Sequence, residues 1–394
     1  MSNSYSIDVL AISPACHTAI NRKVYSDMLS AGSSVVLVVP TEMRFGSKIV
    51  KADMPRDGDP EVNYLKLIGS NARINFFAGI FRVIKKYNPK YIVIDSDPAS
   101  IMVLQIAIFS RIVNRANVFC ISYENLPLTL LSSYTRRGFR SVIPFIYKRI
   151  ILALSKKMIS GMFVVNDDGY QIFKSEGVNN VCRIPLGFDS NYFKIDNESR
   201  IDTRKHLGVE NKFVIGYFGR ISHEKGVHIL LAALSRLLEY DWILLIDEFD
   251  RYHNSYAKTI YDQIDNEGLS DRVIYSSPSH NNIGKFMNAV DVVVMPSITT
   301  PVWIEQYGRV APEAMACGKI VIASNTGALP MLLNGHGLLF DEGNINDLTN
   351  KLTDIIVGSD RGLLFSPQEI SDYAHKSLNT VKQAKSMLTF MGGI

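Results

Sequence analysis

Two short stretches hold residues whose types and spacing could do chemistry. One runs Pro296-Ser-Ile-Thr-Thr-Pro-Val-Trp-Ile-Glu305-Gln-Tyr-Gly308-Arg-Val-Ala-Pro-Glu313-Ala-Met-Ala-Cys-Gly318. It follows the apolar run Asp291–Met295 and leads into a short helix, whose first turn tolerates Pro312 because an N–H there has no intrahelical partner. The helix is expected to begin near Gly308, with the amides of Gly308, Arg309 and Val310 unpaired, an anion site by dipole and by free donors. Glu305 precedes that start and Glu313 lies just inside it. A carboxylate can accept paired hydrogen bonds from vicinal hydroxyls, the groups a sugar offers. The plainer alternative leaves Glu313 serving the helix dipole and Glu305 in solvent.

The other stretch is Ile215-Gly-Tyr-Phe-Gly219-Arg220-Ile-Ser-His-Glu-Lys225-Gly226. It falls at the carboxyl end of a predicted strand, where Gly219 permits close backbone approach. Arg220 offers a rigid fork to phosphate oxygens and Lys225 a mobile point charge, together enough to neutralise a diphosphate. The alternative is a surface turn with solvated charges.

Elements must position these residues. Short β-branched runs alternate with helical patterns along the chain, the mark of α/β construction with parallel sheets. Strands are expected over Ile7–Ser13, Ser34–Val39, Tyr91–Asp95, Val118–Ser122 and Met162–Val165 in the first half. In the second they fall over Phe213–Phe218, Trp242–Asp247, Arg272–Tyr275, Asp291–Met295 and Ile320–Ala323, with helices such as Val227–Leu238 and Ile345–Val357 between them. Turn and cap residues cluster over Pro185–Lys212, so the chain divides there. We expect Rossmann-like doubly wound domains over residues 1–188 and 189–369, with a C-terminal helix over about 370–394 packing back on the first. Open α/β sheets bind ligands beyond the carboxyl ends of their strands, which places the expected site in a cleft between the two domains.

A chain of 394 residues, 47% hydrophobic and 20% charged, fits two ordinary domains and not a disordered, collagenous or disulfide-scaffold class. The net charge of +4 hides an asymmetry. Residues 1–190 hold 23 Lys+Arg against 14 Asp+Glu, a balance of +9; residues 191–394 hold 19 against 24, a balance of −5. Cys16, Cys120, Cys182 and Cys317 form no CxxC pair, so structural zinc and redox chemistry have no support. No apolar run approaches the roughly 18 residues of a membrane span, and no signal-peptide pattern opens the chain, so a cytoplasmic location is expected.

Other signatures are missing: no GxGxxG after a strand, no GxxxxGK[ST] and no GxSxG. His223 and His228 bracket a Glu like a zincin pair. At five positions apart they would diverge by about 140° on an ideal helix, although Gly226 suggests a turn and helix start between them.

Taken together, the motifs resemble glycosyltransferase family 4, retaining enzymes of the GT-B fold. The resemblance rests on the E-x7-E pair Glu305/Glu313, the G-R-x4-K-G segment Gly219/Arg220/Lys225/Gly226, and Ile184-Pro-Leu-Gly-Phe-Asp189, which is similar to an inter-domain IPxGxD turn. Pro301-x-Trp-x-Glu-Gln-Tyr-Gly-Arg looks like a subgroup that often works on bacterial surface glycans. The resemblance implies an acceptor domain first and a nucleotide-sugar donor domain second. Glu313 would hold the ribose and Glu305 the donor-sugar hydroxyls. Arg220 and Lys225 would clamp the pyrophosphate, helped by the amides after Tyr307. Fixed cations and a helix terminus can stabilise the leaving diphosphate without a metal or cofactor.

The chain departs from the family pattern in two places. The glycine-rich turn after the first strand reads Ser13-Pro-Ala-Cys-His17-Thr-Ala-Ile-Asn21-Arg22. A histidine common after a later strand is replaced by Tyr123-Glu124-Asn125. His17, Asn21, Glu124 and Asn125 are the acceptor-side candidates, with Glu124 either positioning or deprotonating the acceptor hydroxyl, or purely structural.

A segment without acidic residues, Ser132–Lys157, carries Arg136, Arg137, Arg140, Lys148, Arg149, Lys156 and Lys157, with Ile143, Phe145, Ile146, Ile150, Ile151 and Leu154 at helical spacing. It fits a helix on an anionic membrane surface, and equally a core helix with a basic edge. The expected partners are a nucleotide-sugar and a glycan or lipid-linked glycan acceptor, with no nucleic acid. The competing classes are a nucleotide-sugar epimerase or hydrolase on the same architecture and a non-enzymatic nucleotide-sugar-binding scaffold.

Overall fold

The computed structural model describes residues 6–45, 48–69, 71, 73–127, 142–247, 255–279, 281–358 and 365–394. The chain forms two compact units, one of residues 1–187 with 380–394 and the other of Phe188–Asn379.

In the first unit the strands are β1 (Ile7–Ile12), β2 (Val35–Pro40), β3 (Glu42–Phe45), β4 (Lys48–Lys51), β5 (Glu61–Leu65), β6 (Leu67–Ile68), β7 (Phe76–Phe77), β8 (Pro89–Ile94), β9 (Asn117–Ser122), β10 (Gly161–Val164) and β11 (Val181–Arg183). Seven of them make one parallel sheet in the order β11-β10-β9-β8-β1-β2-β5, while β3-β4 and β6-β7 pair antiparallel beside it. Runs such as Val35-Val36-Leu37-Val38-Val39 are apolar throughout because helices cover both faces of the sheet. Residues Val9–Ile12 and Ile92–Ile94 are fully buried at its centre.

The helix expected over about 370–394 is two helices. Pro367–Ser377, opened by a capping box between Ser366 and Glu369, belongs to the second unit; Thr380–Gly392 belongs to the first. There Phe390 lies 5.5 Å from Phe163 and 6.1 Å from Phe119, ring to ring, and Gln383 accepts the Gly187 amide at 2.8 Å.

In the second unit the strands are β12 (Phe213–Tyr217), β13 (Trp242–Asp247), β14 (Val273–Ser276), β15 (Val292–Met295), β16 (Ile320–Ser324) and β17 (Leu338–Phe340), all parallel in the order β14-β13-β12-β15-β16-β17. Counted from its own first strand the order is 3-2-1-4-5-6, the Rossmann winding. The first unit has the same winding with β11 added at the edge. Strand order therefore reverses at β1/β8 in one sheet and at β12/β15 in the other, and ligands of such sheets bind at the carboxyl side of that point. The helix Asn197–Leu207 is tied to this sheet by Asp291, which accepts Arg200 at 2.5 Å, Arg204 at 3.2 Å and the Val214 amide at 2.7 Å.

Candidate functional site

The loops after β12 and β15 lie against each other. Ile298 N donates to Glu224 O at 2.8 Å, and a Cβ at Gly226 would sit 1.8 Å from the Pro296 carbonyl oxygen. Gly226 has φ +69°, so glycine is needed there for conformation and for space. That close approach carries Lys225 across to Glu305, Nζ to Oε2 at 2.6 Å. The same carboxylate accepts Ser297 Oγ at 2.9 Å, and the Lys225 ammonium lies 4.9 Å from the centre of the Trp303 ring. Glu305 is 4% exposed, so the alternative of a solvated carboxylate is excluded. Its carbonyl accepts the Ala328 amide at 3.1 Å, fixing the loop to the start of the helix Leu329–Leu333. Gly219 has φ +139° and Arg220 is exposed, its carbonyl accepting Tyr217 Oη at 2.7 Å.

Beyond Glu305 the buried Tyr307 leads into Gly308, φ +82°, and the helix runs Val310–Ala316 with Arg309 as its N-cap. The helix begins two residues later than expected because Gly308 lies in the left-handed region. Glu313 is 5% exposed and sits in the first turn. Burial pushes its carboxyl up to about 7, against the pull of Arg309, whose Nη2 lies 3.6 Å away.

The two histidines of this loop do not diverge. His223 ends up in a 3-10 turn and His228 in the helix Val227–Leu234, and the left-handed Gly226 between them stacks the rings 5.2 Å apart at 18°. The ideal-helix geometry expected for the pair fails because no single helix contains both. His228 also meets Tyr256 Oη at 2.5 Å, and burial with the neighbouring His223 charge lowers its pKa.

In the first unit the sequence candidates hold the loop after β1 together. His17 Nδ1 lies 3.1 Å from Pro14 O and Asn21 Nδ2 donates to Ala15 O at 2.9 Å. Buried Arg22 ties this loop to Met54 and Asp59. Asn125 is 4% exposed, and Glu124 is paired with Lys148 at 3.4 Å.

The expectation that the chain holds no Asp-x-Asp pair is wrong, since Asp95 and Asp97 are one, at the end of β8. Asp95 accepts Ser13 Oγ at 2.7 Å and Tyr123 Oη at 3.0 Å; Asp97 accepts Ser122 Oγ and the Ala99 amide, each at 2.8 Å. The signal was two carboxylates placed at the carboxyl end of a buried parallel strand. Burial raises both carboxyls against those hydrogen bonds.

Of the basic segment, Arg136, Arg137 and Arg140 lie outside the described residues. The helix Val142–Ser155 exposes Ile143, Ile146, Ile150 and Leu154 along one stripe. Lys148 points to Glu124, Arg149 meets Glu176 at 2.5 Å, Lys156 donates to Glu176 O at 2.6 Å, and Lys157 is exposed. Among the described residues no helix is long and apolar enough to cross a membrane, and no cluster of three His, Cys, Asp or Glu side chains is arranged to hold a metal.

Residues 199–376 match the family of glycosyl transferases group 1. The matched residues fall within the second unit. The match contains both motif segments and does not extend into the first unit. Curated relatives include the lipopolysaccharide core biosynthesis mannosyltransferase LpsB of Rhizobium meliloti, 29% identical over 54% of this chain and 59% of that protein. Another is the capsular polysaccharide biosynthesis glycosyltransferase CapM of Staphylococcus aureus, 28% identical over 57% and 60% respectively. The chain thus spans about three fifths of the length of each. The chain is similar in fold to the Anabaena protein HepE in complex with UDP, TM-score 0.73 at 20% identity, covering 98% of this chain and 100% of that one. It is also similar in fold to WaaG, a glycosyltransferase involved in lipopolysaccharide biosynthesis, TM-score 0.67 at 12% identity, covering 98% and 100%. The fold class is GT-B, with two Rossmann-like domains.

Proposed function

We propose that the protein is a retaining glycosyltransferase that moves a sugar from a nucleotide-sugar to a hydroxyl of a glycan or lipid-linked glycan in bacterial surface polysaccharide synthesis. The observation that carries this reading is the Lys225–Glu305 pair at the switch point of the second unit, within the residues that match the group 1 family. It joins a phosphate-type cation to a carboxylate suited to sugar hydroxyls, 80 positions away in sequence. The surface-glycan assignment is supported by what LpsB and CapM are named for, and the nucleotide donor by UDP in the HepE complex.

In this reading Glu313 accepts the ribose hydroxyls, Glu305 the donor-sugar hydroxyls, and Arg220 with Lys225 holds the diphosphate beside the amides of Gly308, Arg309 and Val310. Charge developing on the leaving diphosphate is the largest electrostatic demand of the step, and these fixed donors meet it without a metal. The acceptor oxygen bonds to the anomeric carbon as the bond from that carbon to the phosphate oxygen breaks. The acceptor proton leaves on that phosphate oxygen, so attack from the leaving-group face retains configuration.

The helix Val142–Ser155 lies on an anionic membrane at the cytoplasmic face, its apolar stripe inserted and Arg149 and Lys157 at the headgroups. This placement is supported by the exposure of Ile143, at 80%, and its companions. Incubating the protein with a nucleotide-sugar panel, with EDTA and with or without acceptor glycans, tests the reaction. Acceptor-dependent nucleoside diphosphate release that survives EDTA supports it, and conversion of donor without acceptor points to an epimerase or hydrolase instead.

A further inference from the structure

The loops that follow β15, β16 and β17, adjacent strands of the second unit, are tied together by one chain of side chains. Glu342, just past β17, accepts the Thr299 amide through Oε1 and the Thr299 hydroxyl through Oε2, the latter at 3.0 Å. A hydroxyl has a single hydrogen, so with it committed to Glu342 the Thr299 oxygen accepts from Thr326 Oγ1, 2.7 Å away. The anchored Thr299 leads into a tight turn. Thr300 N donates to Trp303 O at 2.8 Å and Trp303 N to Thr300 O at 3.3 Å, with Val302 exposed between them. The turn brings the Trp303 ring to Lys225, whose ammonium lies 4.9 Å from the ring centre and 2.6 Å from Glu305 Oε2.

We infer that Trp303 is the positioning residue of Lys225, and that Glu342 anchors the turn that carries the ring. The inference rests on the transferase reading, in which Lys225 meets the diphosphate of the donor, and adds the side chain that sets where this cation stands. An ammonium on a flexible four-carbon stem does not choose its own direction. Glu305 draws it from one side by charge. The negative face of an indole, the best aromatic partner for a cation, takes it on another. Held by both, the ammonium has little freedom left to lose when a phosphate oxygen accepts one of its hydrogens, so more of the interaction energy appears as binding. The anchor matters because the turn is otherwise a short excursion at the surface. Glu342 and Thr326 fix its base to the neighbouring loops, and the paired ends at Thr300 and Trp303 pass that constraint to the ring.

The test is a double-variant cycle read by the affinity of a nucleoside diphosphate panel and by tryptophan emission, with melting temperature checking that each variant is folded. Trp303→Leu is expected to weaken the best-bound nucleoside diphosphate about 5-fold, with Trp303→Phe between it and wild type. In a Lys225→Met background the same Trp303→Leu should change affinity less than about 2-fold, an outcome that a merely packing ring does not produce. Glu342→Ala should weaken binding about 3-fold, and Glu342→Gln, which keeps one accepting oxygen, should recover part of that loss. Val302→Ser, in the same turn, should match wild type. Trp303 and the buried Trp242 are the two tryptophans of the chain, so Lys225→Met should shift the emission of wild type and leave that of Trp303→Phe unchanged. Trp303→Met takes the place of Trp303→Leu in the cycle if the leucine variant does not fold. Wild-type affinity in a folded Trp303→Leu variant overturns the inference alone. So does an equal loss from Trp303→Leu with and without Lys225, which marks the ring as structural. A folded wild type that binds no nucleoside diphosphate overturns this inference together with the transferase reading.

Discussion

Lys225 and Glu305 meet at 2.6 Å although 80 positions separate them, and Glu305 is 4% exposed. Removing only the cation leaves a buried carboxylate without its counter-charge, a change that costs about 3–5 kcal/mol in buried pairs. Because Lys225 keeps a fifth of its side chain in water, Lys225→Met should fall near the low end of that range by urea denaturation. Lys225→Met/Glu305→Gln should recover most of the loss while both variants stay inactive. Equal stability of Lys225→Met and wild type would show the pair to be solvated.

Gly226 and Gly208 have nearly the same φ, +69° and +68°, but only Gly226 faces a backbone carbonyl where a Cβ would stand; Gly208 has nothing within 4 Å. Ala at Gly208 should cost the left-handed penalty alone, about 1–2 kcal/mol. Ala at Gly226 should cost at least about 2 kcal/mol more, since the Pro296 carbonyl must move. It should also cut donor turnover, because the loop carrying Lys225 moves with it.

Glu313 has its folded pKa raised from 4.5 to about 7 by burial. The stabilisation of the folded state associated with its protonated form is complete below about pH 4.5 and lost as pH rises through about 7. Glu313→Gln should therefore gain stability relative to ligand-free wild type above pH 7 in thermal melts. If the ionised carboxylate is what grips ribose hydroxyls, nucleotide affinity of the wild type should rise several-fold from pH 6 to pH 8, with proton release on binding. Calorimetry in buffers of different ionisation enthalpy measures this, and Glu313→Gln should remove the pH-dependent part. The same pH dependence in that variant would assign it elsewhere.

Ile146 and Ile150 are 50% and 55% exposed on the helix Val142–Ser155. Flotation with vesicles containing anionic lipid should retain the wild-type protein, and Ile146→Glu/Ile150→Glu should release it with transfer to a soluble acceptor unchanged. Equal retention of the two proteins would remove the membrane from the account.

Ten strands were legible because they are short runs rich in β-branched and other apolar residues, most of them buried along their length as in Val292–Met295. Those that escaped carry weaker patterns. β5, Glu61–Leu65, is a partly exposed edge strand, and β11 and β17 have three residues each. The loops after β12 and β15 were legible from glycines and charges at fixed spacing, but the stacking of His223 on His228 was not. It depends on one left-handed residue, which periodicity does not encode. Asp95, Asp97 and Ser13 escaped because their meaning lies in strand order: β1 and β8 become neighbours only in the folded sheet.

Nucleoside diphosphate release from a nucleotide-sugar panel, with and without acceptor glycan, in wild type, Glu305→Ala and Lys225→Ala tests the central claim most directly. The account predicts acceptor-dependent release with at least one donor and a loss of 100-fold or more, on the order of 3 kcal/mol, in each folded variant. Wild-type rates in both variants, or no release by folded wild type with any donor, would contradict it.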